Sequence, residues 1–230
     1  MEKLDSKPII IEFNGLPGSG KTTIARELKK QLDALGYKTT FSYFRRKIHR
    51  YWFTVVFNPQ YWELVLSVSK FSKTIQRHNS FLKYLYAANY IRKYNDFNNQ
   101  TEKNVLIIGQ GFLQALISLS HQDRLLVSEQ LDAVLRISGM DNLRMIVVNC
   151  NIKESVADSR ITCRPKNGCR VESMGEDERM LTLRVQRENL DVLRKKIIET
   201  CPRVTCLDID TTDSVQNCAD EIMRCVKEII

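Results

Sequence analysis

The chain has 230 residues, seven cysteines and a formal net charge of +8. This length suits one α/β domain that buries its core without disulfide or metal cross-links. An odd number of scattered cysteines is not typical of a disulfide framework. No apolar run is long enough to cross a bilayer and the first residues lack a signal-peptide core, so we expect a cytoplasmic protein without a membrane span.

Apolar runs alternate with amphipathic helical stretches along the chain. The predicted strands lie near 9–13, 38–43, 105–108, 144–149 and 204–208, and the predicted helices at 22–35, 60–72, 80–97, 123–138, 153–161, 175–199 and 213–229. This alternation predicts one α/β domain over 1–230, with a doubly wound parallel sheet of five strands between helices. The helical section 41–104 departs from the carboxyl edge of that sheet, where open α/β sheets bind ligands.

The first predicted strand runs into the glycine-rich segment GLPGSGKTT at 15–23. Two glycines, a lysine and a threonine at this spacing, between a strand and a helix, are typical of the Walker A phosphate-binding loop of P-loop NTPases. We expect Lys21 to be a surface cation that reaches the ATP phosphates, and the Thr22 hydroxyl to ligate Mg²⁺. The predicted ATP-binding residues of the loop are Gly15, Pro17, Gly18, Ser19, Gly20, Lys21, Thr22 and Thr23.

Positive charge and aromatic residues are concentrated in the helical section. Ten Lys and Arg residues stand against one acid, Glu63, between positions 41 and 95, and sixteen of the nineteen aromatic residues lie between 41 and 97. One interpretation is an amphipathic helical pair with packed rings and solvated lysines. The other is a surface for bases and phosphates of a small molecule, because nucleic acid or an anionic membrane would need an extended exposed stripe.

A basic, polar stretch, RITCRPKNGCR at 160–170, contains a proline and a glycine that break any helix. Such a loop between two helices favours a lid over phosphates, which we place at 160–174, and a plain solvated loop is the alternative. Its two cysteines, Cys163 and Cys169, have poor spacing for a zinc site.

Four segments together resemble the thymidylate kinase branch of the P-loop nucleoside monophosphate kinases: FNGLPGSGKTTIARELKKQLDALGY, YLYAANYIRKY, VNCNIKESVADSRITCR and LDIDTTDSVQNCADEI. The resemblance implies that Arg160 flanks the adenine, and that Arg164 and Arg170 belong to a lid that contacts the transferring phosphates. With Lys21, it makes Arg160 and Arg164 the catalytic candidates. The acceptor-binding candidates are Arg45, Arg77, Tyr90 and Gln110.

The sequence departs from that family at two places. Tyr90 stands where the family has a helix arginine that contacts the acceptor, and Gly109-Gln110-Gly111 replaces a strand-end Asp-Arg-(Tyr/Phe). Arg92 is no substitute for that arginine, because two residues along a helix are about 200° apart around its axis. These departures argue against thymidylate as the acceptor.

The departures leave several functions open. Gln110 cannot accept a proton, and a phosphate acceptor needs no base, so we expect a kinase that transfers the ATP γ-phosphate to a small anionic acceptor resembling a nucleoside monophosphate. A kinase for a hydroxyl compound, with Glu12 or Glu63 as base, is an alternative. Another is a regulatory nucleotide-binding protein that has lost transfer chemistry. A homodimer is also left open.

Overall fold

The computed structural model describes residues 8–42, 57–71, 77–100, 104–120, 129–165 and 170–229. Five strands form one sheet: β1 (Ile9–Gly15), β2 (Lys38–Ser42), β3 (Asn104–Ile108), β4 (Met145–Asn151) and β5 (Thr205–Asp210). Every pairing is parallel and the order is β2-β3-β1-β4-β5. All five predicted strands are therefore confirmed, as is the predicted doubly wound parallel sheet.

The described residues form eight α-helices around this sheet. They are α1 (Lys21–Ala34), α2 (Trp62–Phe71), α3 (Arg77–Asn98), α4 (Phe112–Ser120), α5 (Glu129–Ser138), α6 (Glu154–Thr162), α7 (Glu176–Thr200) and α8 (Val215–Ile229). The sequence analysis missed α4, whose short apolar sequence lacks the clear helical periodicity of its neighbours. The predicted helix at 123–138 is described only from residue 129.

The sheet separates two apolar cores, which makes the fold three-layered. On one side, α1 and α8 cover Ile9, Ile11 and Phe13 of β1. On the other side, helices α2 to α5 and α7 cover Ile10 and the rest of the opposite face. Every residue of β1 is buried, as expected of a central parallel strand with helices on both faces.

The helical section lies on the second side of the sheet. In its described part, α2 packs on α3 and α5, and α3 packs on α4. No helix in the part of the chain given above is both long and apolar enough to span a membrane.

Candidate functional site

The glycine-rich loop joins the central strand β1 to α1 at the carboxyl edge of the sheet. Strands β1 and β3 are neighbours; the connection from β1 runs to β2 on one side and that from β3 runs to β4 on the other, which opens a crevice at the ends of these two strands. In open α/β sheets this switch point is where ligands bind. The topology thus places the predicted phosphate loop at the expected binding position.

Three glycines of the loop have a positive φ: 147° at Gly15, 82° at Gly18 and 81° at Gly20. A Cβ at Gly15 would lie 2.7 Å from the Cys150 carbonyl oxygen, and one at Gly18 would lie 2.6 Å from the Ala157 carbonyl oxygen. Glycine is therefore needed at both positions for close backbone approach as well as for conformation. The curled loop is thus packed against the end of β4 and against α6.

Lys21 turns its ammonium group into the loop. Its Nζ donates hydrogen bonds to the carbonyl oxygens of Gly15 at 2.7 Å and Leu16 at 2.6 Å, and to Ser19 Oγ at 3.2 Å. The residue is only 8% exposed, so the expectation of a surface cation was wrong. The loop backbone bends round the ammonium and supplies its acceptors. A positive charge consequently sits in the concavity that a phosphate-binding loop presents to its ligand.

Thr22 and Thr23 open α1, where backbone N–H groups and the helix dipole favour an anion. Thr22 is half-buried and Thr23 is exposed, while Pro17 beside them is half-buried. Among the described residues no group of three or more His, Cys, Asp or Glu side chains could hold a metal. The Thr22 hydroxyl still fits Mg²⁺, because this ion usually completes its coordination with phosphate oxygens and water.

Arg160 lies between the phosphate loop and the loop after β5. Its Nη2 donates to the Thr211 carbonyl oxygen at 3.0 Å, and its Nη1 lies 3.9 Å from where a Cβ on Gly20 would be. The loop after β5 is ordered by Asp210, which accepts from the Thr212 N–H at 2.9 Å and hydroxyl at 2.7 Å. These two hydrogen bonds lower the pKa of Asp210, and the one from the backbone N–H has the larger effect. A flat guanidinium thus spans the two loops.

Arg164 is engaged within its own segment. Its Nε and Nη2 both donate to Glu172 Oε1, at 3.0 and 2.7 Å. The Glu172 side chain is only 5% exposed and that of Arg164 is 33% exposed. The predicted lid lies partly outside the described residues, at 166–169, and the side chain of Arg170 also lies outside them. In the described conformation Arg164 therefore binds an acid rather than facing an open phosphate site.

An ion pair that the sequence analysis missed joins the helices on either side of this segment. Arg179 of α7 donates to the Asp158 carboxylate of α6 through Nε and Nη2, and its Nη1 donates to the Met174 carbonyl oxygen at 3.0 Å. The hydrogen bond to Asp158 raises the pKa of Arg179. A charged residue in the first turns of a helix gives no sign of its partner in sequence, because that partner lies 21 residues away.

The acceptor-side candidates are only partly described. Arg45 lies outside the described residues, and Arg77 begins α3 with its side chain likewise outside them. Gln110 is exposed on the turn between β3 and α4. Tyr90 is 8% exposed on α3, and burial, followed by the nearby Glu12 charge, raises its pKa. The family's helix arginine is thus replaced by a largely buried phenol, whose ring centre lies 6.4 Å from that of Tyr94.

Glu12, considered above only as an alternative base, is fully buried in the middle of β1. Its Oε2 accepts from the Tyr94 hydroxyl at 2.7 Å and its Oε1 from the Leu113 N–H at 2.8 Å. Burial raises its pKa to about 7, although the hydrogen bonds oppose this shift. The signal in the sequence was an acid inside an apolar strand, which requires buried partners. Glu63, the other alternative base, is exposed on α2.

Comparisons with known proteins support the fold. No family model and no curated protein matches the chain. Among solved structures, deoxyadenosine kinase from M. mycoides with dCMP and dCDP is 18% identical, with a TM-score of 0.52. The same kinase with dCTP is 18% identical and with dATP 20%, each with a TM-score of 0.51. Each match covers 95% of this chain and 99% of the kinase.

This chain has the three-layer α/β fold of P-loop NTPases. At this level of identity the likeness extends to the fold, and it does not single out the thymidylate kinase branch.

Proposed function

We propose that this protein is a P-loop phosphotransferase that moves the γ-phosphate of ATP to a small nucleoside-type acceptor. The observation that carries the proposal is the Lys21 ammonium inside a glycine loop at the switch point of the sheet. When a phosphate binds, the ammonium would exchange its hydrogen bonds with carbonyl oxygens for charge-assisted hydrogen bonds with phosphate oxygens. Deoxyadenosine kinase, whose fold is similar, is named for a nucleoside and binds deoxynucleotides in these structures, which supports the acceptor class.

In this proposal the chain contributes positioning and charge. An acceptor oxygen attacks the γ-phosphorus, the bond to the β-phosphate oxygen breaks, and ADP leaves with that electron pair. Lys21 neutralises the β- and γ-phosphates, and Arg160 of α6, which contacts the loop after β5, flanks the adenine. Arg164 exchanges Glu172 for a phosphate when the segment 160–174 closes as a lid.

Thr22 would supply the protein ligand of Mg²⁺ at the start of α1. If bound there, the ion would supply positive charge that neutralises the phosphates of the nucleotide. Because Glu12 is enclosed by its own hydrogen bonds, it does not offer a carboxylate to the ion from β1. Gln110 can hydrogen-bond a metal-bound water instead.

The acceptor that we favour is a nucleoside monophosphate or a similar anion. A phosphate is already ionised at neutral pH, whereas a hydroxyl acceptor usually needs a base. Of the two acids weighed as bases, Glu12 is fully enclosed and Glu63 is exposed on α2. Arg45 and Arg77 remain the candidates for binding the acceptor phosphate, and Tyr90 and Gln110 remain further acceptor-site candidates.

An unphosphorylated nucleoside is the second candidate acceptor. It is favoured by the three structures of deoxyadenosine kinase, which share the fold over nearly their whole length. A base for the hydroxyl proton would then have to come from an acid other than the enclosed Glu12. A cytoplasmic location and a homodimer stay predictions from the sequence.

Matched acceptors separate the two candidates. The wild-type protein is incubated with ATP, Mg²⁺ and either a nucleoside or its monophosphate, for several bases, and ADP release and phosphorylated product are measured. We expect turnover with monophosphates and little with nucleosides. The reverse preference assigns a hydroxyl acceptor, and ATP binding without turnover on any acceptor supports a regulatory nucleotide-binding protein.

A further inference from the structure

A buried hydrogen-bond network lies directly beneath the turn that follows β3. The Tyr94 hydroxyl donates to Glu12 Oε2 at 2.7 Å and accepts the Phe112 N–H at 3.0 Å, while the Leu113 N–H donates to Glu12 Oε1 at 2.8 Å. Strand β1 and helix α3 thereby hold the first backbone groups of α4. A negative charge at that helix N-terminus also complements the helix dipole.

The turn itself presses against this network. A Cβ on Gly111 would lie 2.2 Å from the Tyr94 hydroxyl oxygen, 2.5 Å from Glu12 Cδ and 2.6 Å from Glu12 Oε1. The backbone at Gly111 therefore lies against both side chains, and a Cβ there would have to displace them. The hydrogen bonds from the Phe112 and Leu113 N–H groups thus couple the position of the Glu12–Tyr94 pair to that of the turn 109–111.

We propose that Glu12 and Tyr94 are positioning residues for phosphoryl transfer, which hold the turn 109–111 so that Gln110 keeps a defined place beside the acceptor. The proposal rests on the proposed function. Gln110 is the exposed residue of this turn, and the turn leaves β3 at the carboxyl edge, beside the strand that leads to the phosphate loop. Neither positioning residue touches substrate, because Glu12 and Tyr94 have no exposed surface.

The network requires the ionised form of Glu12. An ionised carboxylate accepts all of its donors, whereas a protonated one must donate one hydrogen. The Tyr94 oxygen already accepts from Phe112 N–H and its hydrogen is directed at Glu12, so protonation breaks at least one of these hydrogen bonds. Burial places the pKa of Glu12 at about 7, so the two forms exchange near neutral pH.

The other groups that face Glu12 do not supply a compensating cation among the described residues. The ionisable groups in electrostatic contact with it are Tyr90 and Tyr94 of α3. In the sheet it pairs with Ile108 of β3 and Val147 of β4, and α4 presents backbone N–H groups to it.

Helix α7 also packs on β1, but its charged residues approach a later part of the strand. Asp191 and Arg194 line a small cavity beside Asn14 and Gly15. Among the described residues, the network at Glu12 therefore depends on hydrogen bonds and on the ionisation of this carboxyl rather than on an ion pair.

The test is the pH dependence of kcat for the wild type, Glu12→Gln and Tyr94→Phe. We expect the wild-type kcat to rise with pH through a single ionisation near 7. In Glu12→Gln, kcat should be lower by about tenfold or more and this ionisation should be absent, since one or more hydrogen bonds to the turn are lost. In Tyr94→Phe the ionisation should move to higher pH, because the Tyr94 hydrogen bond lowers the pKa of Glu12.

The matched control is Tyr84→Phe, which removes a hydroxyl from the same helix ten residues, or roughly 15 Å, away from Tyr94. It should keep the wild-type profile. In all variants the KM for ATP should stay within about twofold of the wild type, because the phosphate loop is unchanged.

An unchanged kcat and the same ionisation in Glu12→Gln would overturn the proposal. If that variant does not fold, Tyr94→Phe decides, and a wild-type profile in it also overturns the proposal. A wild type that transfers no phosphate at any pH contradicts the proposed function and, with it, this inference. A wild type that transfers phosphate, with variants that match it, contradicts this inference alone.

Discussion

Arg164 and Glu172 form a two-pronged hydrogen bond within the predicted lid, in which Nε and Nη2 of the arginine donate to one carboxylate oxygen at 3.0 and 2.7 Å. The acid is nearly buried and the arginine is partly exposed. The pair stabilises the described conformation of the segment. A closed state in which Arg164 contacts phosphate requires the Arg164–Glu172 pair to break. The free energy of breaking this pair is therefore part of the free energy that closure requires.

Arg164→Ala and Arg160→Ala should therefore differ. Arg164→Ala removes two hydrogen bonds from the nearly buried Glu172 and should lower the free energy of unfolding by about 1–3 kcal/mol. Arg160→Ala removes one contact to a carbonyl oxygen from an exposed side chain, so it should leave stability within about 1 kcal/mol of the wild type and weaken ATP binding. Denaturant unfolding and calorimetric titration with ATP measure both. Equal stability in the two variants would argue against the buried pair.

Lys21→Ala should weaken ATP binding by about tenfold to a hundredfold, the effect of losing charge-assisted hydrogen bonds. Because Lys21 also donates to Gly15, Leu16 and Ser19, the variant should unfold at a slightly lower temperature. Lys30→Ala is the control, since that lysine is exposed on α1 and pairs with Glu27. Unaltered ATP affinity in Lys21→Ala would contradict the phosphate-loop assignment.

Two glycines of one turn provide a matched test of packing. Gly111→Ala would place a Cβ 2.2 Å from the Tyr94 hydroxyl oxygen, whereas the nearest atom to a Cβ on Gly109 is Phe41 Cζ at 3.9 Å. We expect Gly111→Ala to lower the free energy of unfolding by about 1–3 kcal/mol or more, and Gly109→Ala to change it by less than about 0.5 kcal/mol. Thermal or denaturant unfolding decides. Similar effects of the two substitutions would be inconsistent with the described turn.

Glu12 should make stability fall as pH rises towards neutrality. Its pKa is about 7 in the folded protein against an ordinary 4.5, so between these values the folded state holds a proton that the unfolded chain has released. Its stabilising contribution is thus fully present below pH 4.5 and lost as pH rises through 7.

The comparison is with Glu12→Gln, which cannot titrate. The unfolding free energy of the wild type minus that of the variant should fall by ~3 kcal/mol across this window. Chemical denaturation at several pH values measures the difference. A difference that is constant with pH would show that Glu12 is not buried as described.

Gln110→Ala should lower kcat about tenfold, the value of one lost polar contact, and leave the unfolding free energy nearly unchanged because the side chain is exposed. Gln110→Asp should tighten Mg²⁺ and keep or raise activity with a phosphate acceptor. Steady-state kinetics at varied Mg²⁺ concentration measures both effects. A loss in Gln110→Asp as large as that in Gln110→Ala would contradict a role in orienting water or metal.

Much of the architecture could be read from local patterns. The strands β1, β3 and β4 were predictable because buried parallel strands are continuous apolar runs, and the phosphate loop because its glycines, Lys21 and Thr22 all lie within the short segment 15–22. Helix α4 was not predicted, because nine largely apolar residues without clear periodicity do not distinguish a buried helix from other buried segments.

The contacts that shape the candidate site were decided by tertiary structure. The sequence determined that an acid lies inside β1 and that Gly111 ends an unusual strand turn. It did not determine that Glu12 reaches Tyr94 and Leu113, which are 82 and 101 residues away, or that Arg164 is held by Glu172. Burial of Lys21 by its curled loop and the raised pKa of Glu12 beneath α3 and α4 likewise depend on the folded chain, because desolvation is set by neighbours that only folding assembles.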